Sequence, residues 1–82
     1  MDQKTRSRRL IFLAEHIFFG GLTPQSLREF GRPKPGCTFQ SVIQAVHRGR
    51  QLGAMQDHDT QIHRIADELG KVIDLLEEKP GQ

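Results

Sequence analysis

The sequence TFQSVIQAVHRGRQL, residues 38–52, decides the fold, because its pattern predicts an amphipathic helix. Thr38 is suited to cap the start of that helix. The apolar positions follow the i, i+3, i+4, i+7 spacing of one buried stripe and are Phe39, Val42, Ile43 and Val46. The opposite side is polar and carries Gln40, Gln44, His47 and Arg48. We therefore expect one face of this helix in the core and an amide-rich face in solvent.

Helical signals also precede this segment. A first helix is predicted from about Thr5 to Phe19, because the pair Gly20-Gly21 that follows can adopt the left-handed backbone conformation that ends many helices. Its apolar side is expected to hold Leu10, Phe12, Leu13, Ile17 and Phe18. Thr23-Pro24 begins a short second helix, with a capping hydroxyl followed by proline at the first helical position. That helix is expected to stop at Gly31.

The segment after Gly31 cannot be helical, because Pro33 and Pro35 fix φ and restrict the residue before each. A last helix is predicted from Asp59 or Thr60 to Glu78, before a Lys-Pro-Gly sequence. No segment predicts a strand. The fold class that we expect is all-α, a single four-helix domain over residues 1–82 with a central helix-turn-helix.

Length and composition allow one small domain, since only 35% of the 82 residues are hydrophobic. One cysteine excludes an internal disulfide and suits a reducing cytoplasm. The longest apolar stretch, residues 10–19, contains Glu15 and His16 and predicts no membrane span. A signal peptide is disfavoured too, because Gly20-Gly21-Leu22 is a poor cleavage site. We expect a cytoplasmic protein that contacts no membrane.

The net charge of +2 conceals an uneven distribution. Residues 1–50 carry nine Lys/Arg and three Asp/Glu, whereas residues 51–82 carry three Lys/Arg and seven Asp/Glu. A basic front half joined to an acidic back half indicates one surface for a polyanion and another for solvent or a partner.

A short helix, a turn and a longer helix with an amide-rich face are typical of a helix-turn-helix DNA reader. Gln40 and Gln44 lie four residues apart, hence on one face, and glutamine can pair bidentately with adenine. Duplex DNA is therefore the expected partner; a plain helical hairpin with a polar outer face is the simpler interpretation. The predicted DNA-binding residues are Arg8, Arg9, Arg32, Lys34, Thr38, Gln40, Ser41, Gln44, His47, Arg48 and Arg50. Residues 1–8 are expected to form a basic arm that reaches a minor groove.

Two segments carry a resemblance to a known family. They are LTPQSLREFG, residues 22–31, and SVIQAVHR, residues 41–48, with Leu52 after them. These segments resemble the C-terminal DNA-binding domain of the bacterial replication initiator DnaA, which typically reads L-T-x-x-S-L-P-E-I-G and later D-H-T-T-V-x-H-A. The resemblance spans roughly residues 8–76 and is specific only between residues 22 and 52. It implies a Trp repressor-like domain in which the first and last helices brace the reader.

The same resemblance assigns positions to the family's base-contacting Asp-His-Thr-Thr run. That run falls on Thr38, Phe39, Gln40 and Ser41, the turn arginine on Cys37, and the turn glycines on Pro35 and Gly36. No glycine-rich loop ending in Lys-Ser/Thr is present, so the resemblance does not extend to the family's ATP-binding portion. It implies control of transcription or replication through DNA binding.

No catalytic or metal-binding constellation is predicted. His58 and His63 are five residues apart, off the i, i+4 spacing of helical zinc ligands, and no cysteine pair accompanies them. Cys37 has no partner for nucleophilic catalysis, and the pair Glu15-His16 lacks a third group. We expect neither an enzyme nor a cofactor.

The main alternative to DNA binding is a small helical adaptor or inhibitor that docks its last helix on a protein partner. The apolar side chains of that helix step by three or four, as a packing seam does, and are Ile62, Ala66, Leu69, Ile73 and Leu76. The same seam predicts a homodimer built on Leu69, Ile73 and Leu76. The acidic residues expected to point outward are Asp67, Glu68, Asp74 and Glu77.

Overall fold

Four helices make up most of the chain, as the sequence predicts. The structure, a computed structural model, describes residues 3–75, with side chains from Arg6 onward. The helices are α1 (Gln3–Gly20), α2 (Pro24–Phe30), α3 (Phe39–Leu52) and α4 (His58–Val72). The all-α class is therefore confirmed. Within this described part of the chain, no helix combines the length and the apolar character needed to cross a membrane.

Side-chain caps fix where three of the helices begin. At α2, the hydroxyls of Thr23 and Ser26 each accept the other residue's backbone N–H, which forms a capping box. Thr38 and Ser41 form the same arrangement at α3. Asp57 caps α4 by accepting a backbone N–H three residues on, at 2.8 Å. Thus α2 and α3 begin where predicted, and α4 begins slightly earlier.

The last helix ends at Val72 and not at Glu78 as predicted, because the chain then becomes extended. Ile73–Asp74 forms strand β2, which pairs antiparallel with strand β1, Arg32–Pro33. The expectation of a chain without strands is therefore wrong. Glu78 itself lies outside the described residues.

Close packing at Gly31 accounts for this extended end. A side chain at Gly31 would collide with those of Ile73 and Leu75, which pack against its backbone. Both side chains are fully buried. Because complete burial of one such side chain is worth about 1.5–3 kcal/mol, the extended path is favoured over a further helical turn that would carry them away.

Helix α4 is the centre of the packing, with α1 and α3 both lying along it. Both helices run antiparallel to α4. Near the end of α1, the ring of Phe18 lies 5.3 Å from that of His58 at the start of α4, whereas Arg6 near the start of α1 reaches Gly70 near the end of α4. The large fully buried side chains of the core are Leu13, Ile17, Val42, Ile65, Leu69, Ile73 and Leu75.

Two apolar residues assigned to the core by the sequence pattern are exposed. Phe12 is 60% exposed, and its ring lies 5.7 Å from that of Phe30 on α2. Ile43 is also exposed on the outer side of α3. The contact between α3 and α4 uses smaller residues: a Cβ at Gly49 would lie only 2.6 Å from the Cα of Ile65. The helices approach closely here because glycine fills no space between them.

The apolar stripe of α4 lies inside the monomer. Leu69 and Ile73, predicted to form a dimer seam, are fully buried, and Leu76 lies outside the described residues. The side chains that the adaptor hypothesis docks on a partner, as far as the structure describes them, are part of the monomer core. Of the acids predicted to point outward, Asp67 and Asp74 do so, Glu68 is buried, and Glu77 lies outside the described residues.

Candidate nucleic-acid interface

The outer face of α3 is a line of exposed polar side chains, which we call the amide ridge. It consists of Gln40, Gln44, His47 and Gln51. An open concavity of about 480 Å³ follows the ridge, with Ile43 and Arg48 also on its wall. Gln51 is absent from the sequence-based set, although its spacing from Gln40 and Gln44 places it on the same helical face.

Two arginines flank the ridge. At 3.6 residues per turn, Arg48 and Arg50 lie about 80° on either side of Gln40. On the side of α4, Nη1 of Arg48 donates to the carboxylate of Glu68 at 3.2 Å. On the side of α1, Nη2 of Arg50 donates to the carbonyl oxygen of Ile17 at 3.2 Å. Both guanidinium groups are thus held in place beside the ridge.

Glu68 is a buried carboxylate at the contact between α3 and α4, with a side chain only 5% exposed. Nζ of Lys71 donates to it at 2.8 Å, on the oxygen opposite the one that Arg48 contacts. The bond from Lys71, supported by the bond from Arg48, holds the pKa of Glu68 below its ordinary value, although burial acts in the opposite direction. Glu68 is therefore ionised at neutral pH.

The ridge belongs to a stretch without acidic residues. Residues 30–56 contain no Asp or Glu, and their cations are Arg32, Lys34, Arg48 and Arg50. A polyanion that approaches α3 therefore meets no carboxylate on that helix or on the connection before it.

The connection between α2 and α3 is longer than a common helix-turn-helix turn. It spans the eight residues 31–38, whereas three or four residues are typical. Helix α3 packs chiefly against α4. The orientation of the amide ridge is therefore set by the α3–α4 contact more than by α2.

Several cations predicted to contact DNA donate to carbonyl groups at helix C-termini. Nζ of Lys34 donates to the Gly70 carbonyl at 3.0 Å, and Nη2 of Arg6 lies 3.5 Å from the same oxygen. Nη2 of Arg9 donates to the Phe30 carbonyl, the last of α2, at 3.0 Å. The final carbonyls of a helix lack partners within it, and its dipole favours cations there. These three side chains therefore stabilise helix ends.

The predicted basic arm of residues 1–8 is wrong, because α1 begins at Gln3. Met1 and Asp2 lie outside the described residues. Arg8 is exposed on α1 and borders a concavity with the rings of Phe12 and Phe30. That surface is separate from the amide ridge.

The remaining predicted residues divide between the ridge and the scaffold. The hydroxyls of Thr38 and Ser41 are occupied in the capping box at the start of α3. Arg32 is exposed on β1, opposite Asp74. The structure thus brings together Gln40, Gln44, His47 and Arg48, with Arg50 at the edge, and places Arg8, Arg9, Arg32 and Lys34 on other elements. In residues 3–75 no three His, Cys, Asp or Glu side chains are grouped so that they hold a metal ion.

No protein-family model, curated protein or solved structure matches the chain.

Proposed function

We propose that this chain is a small DNA-binding protein that places the outer face of α3 in the major groove of duplex DNA. One observation carries the proposal: the amide ridge is exposed among the described residues, lies in a stretch without acidic residues, and has an arginine on each side. The major groove is wide enough to admit an α-helix. From Gln40 to Gln51 the ridge is about 16 Å long, at a rise of 1.5 Å per residue.

Each part of the ridge has a chemical task in such a complex. The exposed amides of Gln40 and Gln44 donate and accept at once, which is the combination that adenine presents in the major groove. His47 adds a ring nitrogen one turn further along. Arg48 and Arg50 lie where sugar-phosphate backbones border a helix in the groove, and backbone contacts of this kind position a reader. The resemblance to the DnaA domain supports a role in transcription or replication.

Selection from a random duplex library tests base reading. The wild-type protein is expected to enrich one motif, and the double variant Gln40→Ala/Gln44→Ala is expected to lose about 1–3 kcal/mol of discrimination per lost bidentate contact. Binding to non-specific DNA should persist, because the flanking cations remain. Gln25→Ala, an exposed glutamine on α2, is the matched control and should bind like the wild type. Absence of wild-type binding at low salt, or unchanged discrimination in the double variant, contradicts the proposal.

One observation favours a second function, the binding of a protein partner. The exposed ring of Phe12 lies against Phe30, and the guanidinium-bearing residues Arg8 and Arg9 border the same concavity of about 320 Å³. Glu29 also lines this concavity, so its two arginines outnumber its one carboxylate. An exposed aromatic ring beside such an excess of cations suits an acidic segment with an apolar anchor. Titration with an acidic peptide that carries one leucine should shift the NMR signals around Phe12, and Phe12→Ser should abolish the shifts. Shifts that are absent, or that persist in this variant, rule out this surface.

A further inference from the structure

Two exposed cations meet at one buried carboxylate beside the amide ridge. Arg48 and Lys71 contact opposite oxygens of Glu68, at 3.2 and 2.8 Å. The side chains of the two cations are 62% and 67% exposed, whereas that of Glu68 is 5% exposed. The carboxylate therefore lies beneath the two cations, and solvent meets mainly the positive groups.

Arg48 and Lys71 have more N–H donors than they use on Glu68. A guanidinium has five N–H groups and an ammonium has three, and each cation uses one of them on Glu68. With Glu68 ionised, the three groups carry a net charge of +1. Because the buried carboxylate already restricts the two long side chains, binding an anion costs less of their conformational freedom.

We propose that Arg48 and Lys71 form a phosphate-binding pair for one sugar-phosphate backbone of the bound duplex, with Glu68 as the positioning residue. This inference rests on the proposed function. Arg48 borders the amide ridge, and Lys71 extends the same positive surface onto α4. The DNA contact therefore continues from α3 across the seam between the two helices. Lys71 is a residue that the sequence pattern does not indicate, because it belongs to the acidic half of the chain.

The salt dependence of DNA affinity tests the pair. Each phosphate contact contributes about 0.9 to the slope of log K against log salt concentration. Lys71→Gln and Arg48→Gln are each expected to lower that slope by about one unit and to leave the preferred motif unchanged. Arg28→Gln, an exposed cation on α2, is the matched control and should keep the wild-type slope. A wild-type slope in Lys71→Gln overturns the pair.

The variant Glu68→Gln tests the positioning role, because the two possible roles of Glu68 predict opposite changes in DNA affinity. If Glu68 acted only through its charge, Glu68→Gln would strengthen DNA binding, because a negative group near phosphate disappears. If Glu68 positions the two cations, the same variant weakens DNA binding. In the double variant Glu68→Gln/Lys71→Gln, the slope of log K against log salt concentration should then be less than one unit below that of Glu68→Gln alone. Circular dichroism establishes that the variant is folded. Stronger binding by Glu68→Gln overturns the positioning role.

These outcomes separate the pair from the proposed function. If the wild-type protein does not bind duplex DNA at low salt, both proposals fail. If it binds and Gln44→Ala relaxes its base preference, but Lys71→Gln changes nothing, only the phosphate-binding pair fails.

Discussion

The ammonium group of Lys34 lies 3.0 Å from the carbonyl oxygen of Gly70 and so closes the end of α4 from outside that helix. The same side chain reaches the carbonyl of Lys71 at 3.4 Å, and the backbone N–H of Lys34 donates to the carbonyl of Val72 at 3.0 Å. One residue thus donates to three of the four terminal carbonyl groups of α4, which have no acceptor role within the helix, and Arg6 shares only the carbonyl of Gly70.

Lys34→Met should therefore lower stability more than DNA affinity. Methionine keeps most of the apolar stem and removes the ammonium, so we expect a loss of about 1–2 kcal/mol in the free energy of unfolding. Urea denaturation measures it. Arg32→Met, an exposed cation two residues earlier, is the control and should change stability by no more than about 0.5 kcal/mol. Equal effects of the two substitutions would contradict the capping role.

Gly49→Ala should destabilise the contact between α3 and α4. The new Cβ would lie 2.6 Å from Cα and 2.9 Å from the backbone nitrogen of Ile65, and backbone atoms cannot turn aside as a side chain can. Overpacking of this kind costs about 1–3 kcal/mol, visible as a lower thermal midpoint. Gly20→Ala is the control, because nothing lies within 4 Å of a Cβ there. A wild-type midpoint for Gly49→Ala would show that the helices separate at no cost.

Leu69→Ala distinguishes a monomer core from a dimer seam. Leu69 is fully buried by its own chain, so we expect a loss of about 2–5 kcal/mol. The thermal midpoints of wild type and variant should not depend on protein concentration, since Leu69 is buried entirely by residues of its own chain. A midpoint that rises with concentration in the wild type, but not in the variant, would place a subunit interface at this residue.

Acid should weaken the fold partly through Glu68. Its pKa is lowered in the folded protein by the bonds from Lys71 and Arg48, so its contribution to stability is complete above the pKa of the unfolded chain. That contribution is lost as pH falls through the lower, folded pKa. Urea midpoints measured between pH 7 and about pH 3 should therefore fall less steeply in Glu68→Gln than in the wild type. Lys71→Met should also flatten the fall, because it removes the first cause of the shift. Parallel profiles would contradict the ion pair.

The parts of the fold that local chemistry controls could be predicted from the sequence. Thr23 and Thr38 cap their helices with atoms only three residues away, and such spacing is visible in the sequence. The end of α4 could not be predicted in this way. It depends on Leu75 packing against Gly31, a contact between distant segments that leaves no periodic signal.

The residues of the candidate site likewise include some that local sequence patterns predict and others that depend on contacts between distant segments. The exposed amides of Gln40 and Gln44 follow from helical periodicity, because both lie opposite the buried stripe of α3. The roles of the cations are harder to predict, because the sequence does not distinguish a lysine or arginine that binds a backbone carbonyl from one that is free to bind phosphate. Lys34, Arg9 and Arg50 each donate to a backbone carbonyl, and of these three Arg50 alone lies beside the amide ridge. Lys71, which we propose as a phosphate contact, has acidic neighbours in the sequence and is not among the predicted residues.

Each of the four helices within residues 3–75 has a carbonyl group near its C-terminus that accepts a hydrogen bond from a distant side chain. The carbonyl acceptors and their donors are Ile17 with Arg50 for α1, Phe30 with Arg9 for α2, Arg50 with Gln61 for α3, and Gly70 with Lys34 for α4. A helix end that is held from elsewhere cannot fray without breaking that remote contact. The last turns of these helices are therefore expected to open together, and their slowest amide hydrogens to exchange with solvent only in shared, cooperative openings of the whole domain.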